Sequence, residues 1–142
     1  MKMKLISIVA FALLLACNKH DNIIDVGKQV PELLTEKPWL IVVAGFDDNL
    51  NGIVDGAENQ LTDCQQDNTY MFNKGGDGAI QENGIDCNPP SALLFTWTLQ
   101  NDDKEILINH QRYFIVRVTE DELLLRAEVP LDTADFLLRY TH

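Results

Sequence analysis

From Trp39 onward, apolar side chains recur at alternate positions in short runs interrupted by Gly, Asn, Asp and Pro. Phe95, Trp97 and Leu99 alternate with Thr96, Thr98 and Gln100. Phe114, Val116 and Val118 alternate with Tyr113, Ile115 and Arg117, and Phe136, Leu138 and Tyr140 with Leu137, Arg139 and Thr141. A period of two sends each set to one face of a strand. Runs of this kind predict eight strands: Trp39–Phe46, Thr69–Asn73, a weak Gly78–Gln81, Leu93–Gln100, Glu105–Asn109, Arg112–Thr119, Glu122–Val129 and Asp135–Thr141. Between them, Asn73–Gly78, Asn101–Lys104 and Thr119–Asp121 are short and rich in turn residues, while Pro89-Pro90 marks a longer connection. Strands joined in sequence by tight turns favour a meander, and a meander removes its exposed edges by closing. The pattern therefore predicts an all-β fold, an eight-stranded antiparallel up-and-down barrel, with a short helix at about Ala57–Leu61.

The first third of the chain is patterned differently. Lys2 and Lys4 precede an unbroken run of apolar and small residues from Leu5 to Ala16, too short to span a bilayer as a mature helix. Leu14-Leu15-Ala16-Cys17 resembles a bacterial lipobox, which makes residues 1–16 a lipoprotein signal peptide and Cys17 the lipidated first residue. An ordinary secretory signal would leave a cysteine at that position unexplained. Acyl chains on the sulfur and the amine of Cys17 would anchor the protein stably to a membrane. Residues 17–33 are polar with scattered apolar positions and read as a flexible tether, leaving residues 34–142 as the folded domain. Asn18, and not Asp, after the lipid cysteine favours the outer membrane, with its periplasmic and outer faces both open as locations.

One loop carries specific chemistry. Asp47-Asp48-Asn49-Leu50-Asn51-Gly52-Ile53-Val54-Asp55-Gly56-Ala57-Glu58 fits every fixed position of the calcium-loop pattern D-x-[DN]-x-[DN]-G-x5-E. Asp47, Asn49, Asn51, Asp55 and Glu58 would supply side-chain oxygens and Ile53 its carbonyl, while Gly52 permits the sharp turn. Val54 is the apolar position by which such a loop docks. Three carboxylates and two neutral amides carry less charge than an all-aspartate set, so affinity in the extracellular range of roughly 0.1 to 1 mM is expected. The segment before the loop reads as a strand, so this is an EF-hand-like calcium loop between the first two strands, without paired helices. The competing reading is a plain strand connection rich in turn residues.

The cysteines fit an exported protein. With Cys17 consumed by lipid, Cys64 and Cys87 remain as a pair for a disulfide. The net charge of −11 would become −13 once Lys2 and Lys4 leave with the signal. Such a surface repels nucleic acid and favours cations and basic partners.

Groups suited to catalysis are sparse in the sequence. His20 lies in the tether, His110 in a hairpin turn and His142 at the chain end, so no Ser-His-Asp or Cys-His set assembles, and no glycine-rich phosphate loop precedes a helix. The expectation is a protein that is not an enzyme. Trp39, Phe72, Phe95, Trp97, Phe114 and Phe136 are candidates for the inner face of the barrel, where they would either line a ligand cavity or fill a solid core.

Several segments together resemble the lipocalin-like domains of Bacteroidota lipoproteins. They are the entry Leu33–Trp39, the acidic loop, Cys64-Gln65-Gln66-Asp67-Asn68-Thr69-Tyr70-Met71-Phe72-Asn73 with its glycine turn, Asp86-Cys87, Thr96-Trp97, Tyr113–Val116 and Leu123–Leu125. The C-x2-D-x2-Y-x-F run with its second cysteine is the most diagnostic, while Lys37-Pro38-Trp39 departs from the commoner Gly-Lys-Trp. The resemblance covers about Leu33 to His142 and implies a lipocalin-like barrel, but it brings no assigned activity. Two functions are compatible with these readings. One is an envelope binding module that captures a small apolar or amphipathic ligand. The other is a calcium-stabilised interaction protein whose filled barrel docks an envelope or host protein.

Overall fold

The computed structural model describes the backbone of Ile23 and Ile24 and, in full, residues 27–88, 93–127 and 134–142. The expected signal peptide at residues 1–16, the expected lipid site Cys17 and the first part of the expected tether lie outside the described residues, as do 89–92 and 128–133.

In chain order the elements are β1 (Ile23–Ile24), α1 (Val30–Glu36), β2 (Trp39–Asp47), α2 (Asp63–Gln66), β3 (Thr69–Phe72), β4 (Asp77–Gln81), β5 (Leu94–Gln100), β6 (Glu105–Ile108), β7 (Gln111–Val118), β8 (Glu122–Ala127) and β9 (Asp135–Thr141). From β2 to β9 each strand pairs antiparallel with the next, and β9 returns to β2 with Leu40 opposite Thr141 and Asp47 opposite Asp135. The expected eight-stranded up-and-down barrel is thus present and closed. β1 lies outside the meander. It pairs in parallel with Arg117 and Val118 of β7, beyond Phe114, where the ladder to β6 stops.

The turns follow from their residues. Asn109 and His110 both have positive φ (48° and 68°), the backbone that a two-residue hairpin between twisted strands requires. His110 is an exposed turn residue, as expected. Asn101, Asp102 and Asp103 all take positive φ between β5 and β6, a conformation that Asn and Asp tolerate better than other side chains with a Cβ.

Two local expectations differ from the structure. The expected tether through Leu33 overlaps α1, in which Val30, Leu33 and Leu34 are buried. Their spacing of three and four residues places them on one helical face. Burial of a side chain of this size stabilises by about 1.5 to 3 kcal/mol. The expected helix at Ala57–Leu61 is absent. Asn59 bridges to Gly45 on the edge of β2, and the helix forms later, at Asp63–Gln66, where the Gln65 side chain accepts from the Thr62 backbone N–H at 3.1 Å. Glu122–Val129 is a strand as far as Ala127, and its last two residues are outside the described set.

The core fills the end of the barrel at which β2 begins. Leu33 and Leu34 of α1 meet Trp39, Ile41, Val118, Leu123 and Ile106, all at most 3% exposed. The Trp39 indole N–H donates to the Leu34 carbonyl at 3.1 Å, so the helix is tied to the strand that follows it. The His142 ring lies on Trp39, with centroids 3.9 Å apart. A disulfide joins Cys64 and Cys87, with Cα atoms 5.2 Å apart, and links the β2–β3 and β4–β5 connections at the opposite end.

Candidate loop site and barrel interior

The β2–β3 connection folds around Asp47. That residue ends β2, is 1% exposed, and has both carboxylate oxygens committed to the backbone: Oδ1 accepts from Asn51 N–H at 3.1 Å and Oδ2 from Gly52 N–H at 2.7 Å. The Asn49 side-chain oxygen shares the Asn51 donor at 3.1 Å, and the Asn51 side-chain oxygen accepts from Ile53 N–H at 2.8 Å. Glu58 Oε2 accepts from Asp55 N–H at 2.7 Å, while Glu58 and Asn59 N–H donate back to the Asp55 carbonyl, making a single helical turn. Leu50 and Gly52 take positive φ (56° and 82°), which curls the chain so that alternate side-chain oxygens point toward the same turn. Asp47 is thereby brought close to Asn49 and Asn51, with Asp55 and Glu58 paired at the far end of the loop. Among the described residues, however, no three His, Cys, Asp or Glu side chains stand together as a metal-holding group.

The loop docks as the position of Val54 anticipates. A Cβ built on Gly45 would fall 2.8 Å from Val54 Cγ1 and would overlap the Glu58 carbonyl oxygen. Gly45 thus leaves the gap into which the loop folds back over the outer wall of the barrel. Gln60 N–H donates to the Ala44 carbonyl at 2.7 Å, and the Asn59 side chain accepts from Ala44 N–H at 3.1 Å. These contacts satisfy the edge of β2 where β3 no longer runs beside it.

Beneath the loop, the outer wall of β2, β9, β8 and β7 forms a groove of about 1010 Å³, lined by Val43, Phe114, Leu124 and Arg126 and roofed by Leu50 and Ile53. Phe114 belongs to this outer wall. The expectation that it faces inward fails because a bulge between Ile115 and Arg117 shifts the parity of β7. Tyr113 and Ile115 point inward before the bulge and Val118 after it, so Phe114 stacks outside between the Arg112 and Arg126 guanidinium groups, 5.6 and 5.2 Å from its ring centre. The cations here are matched by anions: Arg117 and Arg139 reach Glu122 at 2.7 and 2.8 Å, and Arg126 reaches Asp135 at 3.4 Å.

The other five expected inward aromatics face the interior. Trp39, Phe72, Phe95 and Trp97 are buried in the core, and Phe72 meets Phe95 and Trp97 edge-on at 5.1 and 5.6 Å. Phe136 packs against the core while staying half-buried, beside Phe46 at 5.0 Å. The chain's three tyrosines join them. Tyr70 pairs across the ladder with Trp39, Tyr140 with Ile41, and Tyr113 with Ile106, so all three lie on the inner face. Tyr70 and Tyr140 rings touch edge-on at 5.2 Å. Burial pushes the Tyr140 hydroxyl well above its ordinary pKa, with neighbouring Tyr70 and Tyr113 adding to the effect, and burial raises Tyr70 and Tyr113 as well. Tyr140 was legible from its alternation with Phe136 and Leu138. Tyr113 was not, because the bulge that turns it inward leaves no mark on the period.

Compared with models of known protein families and with curated protein sequences, the chain matches none.

Proposed function

We propose that this protein is a lipid-anchored binding module of the cell envelope, a lipocalin-like barrel that captures a small apolar or amphipathic ligand, with calcium stiffening the β2–β3 loop. One observation carries the reading. In a closed barrel, Phe46, Tyr70, Ile80, Ile108, Tyr113 and Phe136 all face inward, yet each remains half-buried. Exposure of inward side chains supports an opening to the interior, an apolar mouth at the end opposite α1. Support for anchoring is the lipobox at Leu14–Cys17, which with Asn18 favours the outer membrane.

Uptake of the uncharged dye N-phenyl-1-naphthylamine tests the cavity. Saturable, stoichiometric binding is expected, whereas a chain that never takes up the dye has a filled barrel. In that event the groove of about 1010 Å³ on the outer wall favours the second reading, an interaction protein that docks an envelope partner.

Calcium belongs to both readings as the clip of the loop. The side-chain oxygens of Asp47, Asn49 and Asn51 gathered at one turn, and the docking of Val54 on Gly45, fit a structural site rather than a sensor. Millimolar calcium is expected to raise the melting temperature without increasing dye uptake, and Glu58→Gln to abolish that gain. An unchanged melting temperature up to about 10 mM calcium, above the extracellular affinity range, removes the metal from the account.

A further inference from the structure

Three phenol hydroxyls lie on the inner face of the barrel. Tyr70 comes from β3, Tyr113 from β7 and Tyr140 from β9. In the closed order β3 and β7 stand opposite one another, four strands apart either way, with β9 midway along one arc. Their side chains therefore point toward the barrel axis, and the Tyr70 and Tyr140 rings meet edge-on at 5.2 Å. Tyr140 is 2% exposed, and no hydroxyl of the three has a hydrogen-bond partner among the described residues. The sealed unpaired side-chain atoms among the described residues are Asp67 Oδ1, Asn68 Oδ1 and Arg126 Nε, so the three phenol oxygens are unpaired without being sealed and stay open to a partner.

The rest of the inner face sets the sign of what could satisfy them. Inward strand positions are aliphatic, aromatic or Gly except for the uncharged Asn68, 1% exposed beside Tyr70, and Gln111 at the start of β7, and among the described strand residues no inward position is Lys, Arg, Asp or Glu. Arg112, Arg117, Arg126 and Arg139 all stand on the outer wall. An anion entering the barrel would lose its hydration and meet no cation, whereas a hydroxyl or carbonyl oxygen needs only a donor.

We propose that the hydroxyls of Tyr70, Tyr113 and Tyr140 receive the oxygen of the ligand, so that the barrel takes an uncharged apolar molecule with one hydroxyl or carbonyl group and rejects its carboxylate counterpart. This rests on the binding-module reading given above. The apolar body of such a molecule lies against Phe46, Ile80, Ile108 and Phe136, and its oxygen sits deeper, between the phenols.

Competition on the purified chain, loaded with N-phenyl-1-naphthylamine at pH 8, tests it with 1-decanol and decanoate as probes. Decanol is expected to displace the dye at about tenfold lower concentration than decanoate, which is ionised at that pH. Tyr140→Phe and Tyr113→Phe, each removing one oxygen and preserving the ring, should weaken decanol by about fivefold relative to the dye, whose own affinity is measured on each variant, the loss expected for one hydrogen bond. Decanoate competing as well as decanol, or both variants binding decanol as the parent does, overturns the assignment of the tyrosines and leaves the binding module standing. Failure of the parent chain to take up the dye at all overturns both.

Discussion

At Gly45 the absence of a side chain is the structural feature. Its outward side receives Val54 and the Glu58 carbonyl, so the whole β2–β3 connection is positioned by the space a Cβ would occupy. Leu50 is the price of the same arrangement, since a non-glycine residue at φ 56° carries backbone strain of about 1 kcal/mol or more. Gly45→Ala is accordingly expected to destabilise the domain by about 1 to 3 kcal/mol, the range for overpacking a tight contact. Gly56→Ala in the same connection is the control. A Cβ there meets nothing within 4 Å, and its effect should stay within about 0.5 kcal/mol. Urea unfolding of the two variants beside the parent measures the difference, and equal midpoints would mean that the loop does not dock at Gly45. The turn chemistry of the loop is legible because it is local, whereas its docking point is not. Gly45 reads in the sequence as one more residue of a strand, and nothing in the period tells which face Val54 will cover.

Among the elements, what the sequence made legible were those whose period is undisturbed. β5 and β9 keep strict alternation and present the residues expected, Phe95 and Trp97 from one and Phe136, Leu138 and Tyr140 from the other. β2 and β7 each contain a register shift, between Ile41 and Val43 and between Ile115 and Arg117, and there the period misleads. An extra residue reverses every assignment on one side of it, which is why Phe114 was expected inside and Tyr113 outside. α1 leaves little mark on the sequence because its helical face is only Val30, Leu33 and Leu34, within a stretch otherwise polar. The disulfide was legible from cysteine arithmetic, and its consequence lies at this scale. It ties α2 to the β4–β5 connection across a sequence separation of 23 residues. Replacing both cysteines with serine should cost about 3 kcal/mol on the chain-entropy account. Chemical denaturation checks the magnitude, and faster proteolysis near α2 than in the β5–β6 hairpin would place the loss in that connection. Loss of less than about 1 kcal/mol would show that Gly45, Asn59 and Gln60 hold the segment without the bond.

For the whole molecule, the barrel brings together residues that are remote in sequence, and the ionisation of its three tyrosines reports on that closure. All three face inward, and burial raises each above the ordinary value of 10.0, Tyr140 the furthest. The native state therefore keeps these hydroxyls protonated at pH values where the unfolded chain has lost the protons. Their contribution to stability is complete below pH 10.0 and is lost as pH rises above it toward the raised native value, because deprotonation then favours the unfolded chain. Lys28, held charged by hydrogen bonds to Glu120 and Glu36, acts in the same direction from 10.5 upward, so the tyrosine part must be isolated by substitution. Unfolding by urea between pH 8 and pH 11 is expected to show stability falling steeply above pH 10 in the parent chain and less steeply in Tyr140→Phe. With no tyrosine outside the barrel, tyrosinate absorbance gives an independent reading. It should grow in as the barrel opens, and a parent chain that acquires its full tyrosinate signal near pH 10 while still folded would show that Tyr140 is not sealed inside.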